Sequence, residues 1–168
     1  MKTVFVDMDG VLTNFEKRYV ELIGTTPLET RQSRDKKEFS KQWETFVQFS
    51  SFEHLDWFPG AQELVKFLNK QNVQKCILSS SGGMKFHNKV MMQKQKWLIE
   101  HGIDWPVVIV PGRRYKAGFA SPTTALIDDT EDVIQSFNAR GGLGILHRPD
   151  RKWESTYTIE QWLETALQ

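Results

Sequence analysis

The sequence predicts an α/β protein: a parallel sheet covered on both faces, with a small helical insertion after the first strand. Three observations carry this reading. Five short, continuous apolar runs recur along the chain, separated by segments with helical periodicity. The runs lack the polar alternation of a one-sided sheet, so each is buried on both faces. One stretch, residues 14–58, breaks the alternation and is too long for a structureless loop in a compact domain.

The first run is TVFVD (3–7). Within residues 14–58, Phe15, Tyr19, Leu22 and Ile23 share one helical face, and Phe39, Trp43 and Phe46 share another. GTTPLETRQSRDKKE (24–38) reads as the polar turn region between them. The whole reads as a small helical cap beside the sheet. PGAQELVKFLNKQN (59–72) is a helix with Pro59 in its first turn and Ala61, Leu64, Val65 and Leu68 on its apolar face. KCILS (75–79) is the second strand, and a lysine-rich helix from about Met84 to His101 follows, stopped by Gly102. PVVIV (106–110) and TTALID (123–128) are the third and fourth strands. A helix over 131–140 ends at Gly141 and Gly142, and GLGILH (142–147) is the fifth strand. Thr158 and Gln161 form a capping-box pattern that starts the last helix at Thr158. The expected division is a core of residues 1–13 and 59–168 and a cap of residues 14–58.

The 168 residues suffice to bury a core without disulfide or metal staples. With 22 basic and 21 acidic residues, net charge is +1, which argues against binding nucleic acid through bulk electrostatics. No stable nucleic-acid complex is expected. The single cysteine, Cys76, rules out an internal disulfide and reads as a small core residue. Asp7 and Asp9 interrupt the N-terminal apolar run too early for a signal peptide, and no stretch has the length of a membrane span. A soluble, cytoplasmic protein is the expectation.

In an open parallel sheet, ligands bind beyond the carboxyl ends of the strands. There the sequence places Asp7-Met8-Asp9-Gly10, Ser79-Ser80-Ser81-Gly82-Gly83 and Asp128-Asp129-Thr130, with Lys116 in GRRYK between the third and fourth strands. Each alone has a plain reading as a turn, a flexible loop, a helix cap or a solvated lysine. Together they converge on one edge. Clustered carboxylates repel unless a cation sits among them, and hard oxygen ligands suit Mg²⁺, which also binds phosphate oxygens.

The order DMDG, strand-Ser, Lys, strand-Asp-Asp resembles the four motifs of the haloacid dehalogenase (HAD) superfamily of phosphohydrolases, and the resemblance spans nearly the whole chain apart from the insertion. Within that superfamily, DMDGVLTNFE and ALIDDT most resemble the 5'(3')-deoxyribonucleotidase family. The resemblance implies a Rossmann-like, three-layer α/β/α core with its cap inserted after the first motif. It implies a Mg²⁺-dependent phosphomonoesterase with Asp7 as nucleophile and Asp9 as general acid and base. Ser79 would bind phosphoryl oxygens with help from Ser80, and Lys116 would neutralise charge on the transferring group. The Asp7 side chain, the Asp9 backbone carbonyl and an aspartate of 128–129 would hold the metal. Asp129 is favoured as the direct ligand, with Asp128 close by. Phe15 matches a base-contacting ring of the family, and Phe52 matches more loosely. The family places a further lysine after the second motif, which Lys85, Lys89, Lys94 and Lys96 all satisfy by position. His54, His87, His101 and His147 show no metal-ligand spacing.

The expected partner is a small phosphate ester, foremost a nucleoside monophosphate. The alternatives are another small phosphomonoester or a polynucleotide 3'-phosphate end. A signalling receiver domain has its acidic pair after the first strand and its phosphoacceptor after the third, the reverse of the order here. A degenerate, non-catalytic copy of the fold would have lost a carboxylate from the set. The sequence leaves oligomeric state open.

Overall fold

Thr3–Val6 form strand β1, the centre of a five-stranded parallel sheet, in a computed structural model that describes residues 1–33 and 35–165. The other strands are β2 (Gln74–Ser80), β3 (Val107–Val110), β4 (Thr124–Asp128) and β5 (Leu143–Leu146), in the order β3-β2-β1-β4-β5. Val6 pairs with Ile77 on one side and Ile127 on the other, so Asp7, the end of β2 and Asp128 emerge at one edge. The chain builds outward from β1 to β3, then crosses back to β4. The crevice between β1 and β4 is therefore the topological switch point, where sheets of this kind bind ligands.

The alternation of β1 explains the layers. Val4 and Val6 face one apolar cluster, which takes in Leu64 and Leu68 of α4 (Ala61–Lys70), Val90 and Trp97 of α5 (His87–Glu100) and Ile159 of α7 (Trp153–Glu164). Phe5 faces the other, with Leu78, Leu126, and Val133 and Phe137 of α6 (Glu131–Ala139). Continuous apolar strands follow from this double burial. Cys76 is buried in the second cluster, and burial pushes its thiol up.

Residues 14–58 hold α1 (Phe15–Ile23), α2 (Pro27–Gln32), α3 (Lys36–Gln48) and a short 3₁₀ turn at Ser51–Glu53. Phe15, Tyr19, Trp43, Phe46 and Phe52 pack ring on ring, with Phe46 centred 5.0 Å from both Phe15 and Phe52. This aromatic knot is continuous with the cluster beneath the sheet. Gln93 of α5 ties it down: its side-chain N–H donates to Val47 O at 2.9 Å, and its oxygen accepts from the Phe52 N–H.

Four boundaries differ from the sequence expectation. The polar segment 24–38 contains α2, nucleated by a capping box in which Thr26 and Glu29 satisfy each other's backbone N–H groups. Pro59 lies outside its helix, because Gly60 at φ +84° is the N-cap of α4. α5 begins at His87 rather than Met84. α7 begins at Trp153, and Thr158 lies within it, its hydroxyl donating to Glu154 O. Residues 166–168, which the expected core includes, lie outside the described residues. Among the described residues, no helix is long and apolar enough to cross a membrane.

Candidate active site

The Asp7 N–H donates to Ile127 O at 3.0 Å, which extends the β1–β4 ladder one residue beyond β1 and points the buried Asp7 into the switch-point crevice. The chain then turns tightly: the N–H groups of Val11, Leu12 and Thr13 all converge on Met8 O. Gly10 at φ +83° makes this turn possible. A Cβ at Gly10 would overlap the Asp129 carboxylate, lying 2.5 Å from its Cγ. The glycine thus opens space for Asp129 to reach the backbone of the first motif. Ligand oxygens of Asp7, Asp128 and Asp129 lie within 4.8 Å of one another.

Lys116 is delivered by a 3₁₀ turn, Arg113–Phe119, and is buried. Its Nζ bonds Asp7 Oδ1 at 2.9 Å and Asp128 Oδ2 at 2.7 Å. The second Asp128 oxygen accepts the Thr130 N–H at 3.0 Å, so both oxygens of this fully buried carboxylate have partners within the protein. Asp129 opens to the cleft instead.

The electrostatics follow from crowding. Burial, and then the Asp128 charge, raise the Asp7 carboxyl well above the usual range; Lys116 opposes this without cancelling it. Partial exclusion from water, and then the charges of Asp128 and Asp9, push Asp129 up to about 6. Burial alone would lower Lys116, but Asp7 and Asp128 more than reverse this and hold it above its ordinary value.

A second buried lysine stands on the other side of Asp9. Lys94 Nζ reaches Asp9 Oδ2 at 2.9 Å, Ser79 Oγ at 2.7 Å and Ser80 O at 2.8 Å. Above these groups opens a cleft of about 1770 Å³. Asp7, Asp9, Ser80, Lys116 and Asp129 line its floor, and Phe15, Phe39 and Trp43 line its cap wall.

The profile of one protein family, described as "5' nucleotidase, deoxy (Pyrimidine), cytosolic type C protein", matches residues 1–167. The chain belongs to this nucleotidase family. No curated protein matches it. Solved structures share its fold. A HAD-superfamily hydrolase from Ehrlichia chaffeensis is 16% identical with TM-score 0.54, over 97% of this chain and 99% of that one. A hydrolase from Pseudomonas syringae is 17% identical with TM-score 0.56, over 87% and 84%. A hydrolase from Streptococcus pneumoniae TIGR4 is 17% identical with TM-score 0.51, over 88% and 94%. As a member of a nucleotidase family the protein is a phosphatase with a small phosphate ester as its class of substrate, and its fold is that of the HAD-superfamily hydrolase.

In this nucleotidase-family protein Asp7, Asp9, Ser79, Ser80, Lys116, Asp128 and Asp129 come together at one sheet edge. Phe15 lines the cleft. Phe52 is only 1% exposed and is not among the described residues that line it. Its ring lies stacked below Phe15 and 4.9 Å from Lys94 Nζ. Arg113 pairs with Asp132 at 3.0 Å, and Arg114 lies against Tyr115, both at the outer rim.

Position alone leaves Lys94 undistinguished among four lysines. The signal was present. Val90, Lys94, Trp97 and Leu98 share the buried face of α5, whereas Lys85, Lys89 and Lys96 are exposed. A lysine on an apolar face needs a buried partner. Trp43 was legible only as cap core; the structure lays it on the Ser-Gly loop, where a Cβ at Gly82 would meet its Cζ2 at 2.5 Å.

Proposed function

We propose that the protein is a Mg²⁺-dependent nucleotidase that removes phosphate from nucleoside monophosphates through an aspartyl-phosphate on Asp7, working in the cytosol as its family's description suggests. One observation carries the reading. A carboxylate gripped by a buried lysine sits beside two more carboxylates on the floor of a cleft whose cap wall is aromatic and whose volume exceeds a nucleotide's needs.

The residues fit a divalent cation. Three carboxylates offer hard oxygens within 4.8 Å, and the glycine at position 10 leaves room for one of them to close in. The Asp7 side chain, the Asp9 carbonyl and Asp129 would hold it, with Asp128 behind, since its oxygens are already engaged by Lys116 and Thr130. When bound, the cation offsets both the repulsion that raises Asp7 and Asp129 and the repulsion between Asp7 and a phosphate dianion.

The protein's own groups then do the rest. An Asp7 oxygen attacks phosphorus, the bond to the ester oxygen breaks, and Asp9 gives that oxygen a proton. Water next attacks the phosphorus of the aspartyl-phosphate, Asp9 takes its proton, and Asp7 is released with inorganic phosphate. Lys116 neutralises charge gathering on the transferring group. Ser79 Oγ accepts from Lys94 and keeps its own proton to donate to a phosphoryl oxygen; Ser80, on the cleft floor, helps. Phe15 faces the base, and Phe52 supports it from below. The test is a panel with Mg²⁺ comparing nucleoside monophosphates, sugar phosphates and a 3'-phosphorylated oligonucleotide. The reading expects the first group to lead in kcat/KM; a lead by either other group overturns the nucleotide assignment.

A further inference from the structure

We propose that Lys94, together with Thr13, is a positioning residue that fixes the Asp9 carboxylate for proton transfer, and that it is not a ligand of the substrate phosphate. The inference rests on the reading of Asp9 as general acid and base. An ammonium group has three protons. Those of Lys94 are taken by Asp9 Oδ2 at 2.9 Å, Ser79 Oγ at 2.7 Å and Ser80 O at 2.8 Å. None is left for a phosphoryl oxygen. Lys116 differs, since its two carboxylate contacts leave one N–H to meet the transferring group.

The remaining approach to Lys94 is closed. The Phe52 ring lies 4.9 Å from Nζ, within cation–π range, and Gln93 holds the Phe52 backbone by its N–H. The other Asp9 oxygen is held by Thr13, whose Oγ1 donates to Oδ1 at 2.9 Å. Thr13 is fully buried, so its hydroxyl has no water to turn to. Asp9 is thus gripped at both oxygens while its side chain stays 29% exposed toward the cleft. Proton transfer requires a heavy-atom approach of about 2.6–3.2 Å, which a carboxylate free to rotate would seldom hold. The grip supplies that constraint.

A proton donor matters in proportion to how badly the leaving group needs one. A nucleoside alkoxide needs it; p-nitrophenolate is stable without it. The experiment therefore measures kcat/KM of wild type, Lys94→Met and Thr13→Val on a nucleoside monophosphate and on p-nitrophenyl phosphate, with Mg²⁺. Both variants are expected to lose far more on the nucleotide, about 100-fold for Lys94→Met against less than about tenfold on the aryl ester. Equal losses on the two substrates, or a raised KM with unchanged kcat on both, would make Lys94 a phosphate ligand or a fold element and overturn the proposal. Thr13→Val is isosteric and decides by the same comparison if the lysine variant does not fold. A wild type inert on both esters would instead overturn the phosphatase reading beneath.

Discussion

Gly10→Ala tests the site through a single atom. At φ +83° the backbone is in the left-handed region, where a Cβ costs about 1–2 kcal/mol. The same atom would overlap the Asp129 carboxylate, which must then rotate away from Asp7 and Asp128. Gly24 separates the two effects. It caps α1 at φ +94°, is exposed, and has nothing within 4 Å of an added Cβ. Gly24→Ala therefore carries only the conformational cost. For a chain of this size each kcal/mol lowers Tm by about 2–4 °C, so both variants should melt several degrees below wild type. They should part in function. Gly24→Ala keeps wild-type turnover and wild-type Mg²⁺ affinity by calorimetric titration, whereas Gly10→Ala loses most of both. If Gly10→Ala binds Mg²⁺ and turns over like Gly24→Ala, Asp129 is not a metal ligand reached through the space at Gly10, and the assembly of the cation site argued above is wrong.

Asp129→Asn tests, without metal, the burial and charge crowding that raise this carboxyl. The folded carboxyl is raised from about 4 to about 6, so in chelator the wild type should lose stability relative to the variant as pH rises from 4 to 6, with a constant gap above that; a gap independent of pH would refute the raised carboxyl. Saturating Mg²⁺ should reverse the order at pH 7.5, since only the wild type gains binding free energy. Asp7→Asn leaves Lys116 paired with Asp128 and should fold, yet show no turnover on any phosphomonoester; substantial remaining hydrolysis removes Asp7 as nucleophile. Phe15→Ala should cut kcat/KM for a nucleotide roughly 10–100-fold more than for p-nitrophenyl phosphate, the equivalent of about 1–3 kcal/mol of base stacking. Equal losses would reduce Phe15 to its packing against Phe46 and Phe52.

The core of the fold was legible because it follows from period and burial. All five strands lie within one or two residues of the apolar runs that announced them, and the acidic, serine and lysine stations meet because parallel strands end at one edge. What escaped was set by tertiary contact or obscured by surface chemistry. The start of α7 was hidden by Trp153 and Tyr157, large rings on an exposed face that blur the apolar pattern. The capping box at Thr26 and Glu29 was present in the sequence, but no apolar stripe followed to mark α2 as a helix. In sequence Phe15 matches the family's base-contacting ring and Phe52 matches it more loosely. Only packing separates them, with one on the cleft wall and the other beneath it.

The charge arrangement ties these pieces together. When Asp7, Asp9, Asp128 and Asp129 are all ionised, the two buried ammonium groups of Lys94 and Lys116 leave two of their negative charges uncompensated in and beneath the floor of the cleft. That deficit matches one divalent cation, and it is unevenly placed. Lys94 serves Asp9, while Lys116 is shared by Asp7 and Asp128, so one surplus charge lies on that pair and the other on Asp129, which has no lysine of its own among these contacts. Burial first, and then this same imbalance, raise the proton affinity of the Asp129 carboxyl. A group that holds a proton because it lacks a cation yields that proton when the cation arrives. Mg²⁺ binding near pH 6 should therefore release protons, seen as a dependence of binding enthalpy on buffer ionisation. Asp129→Asn should weaken that dependence by removing the share that Asp129 contributes. An enthalpy independent of the buffer in the wild type would place the cation away from Asp129.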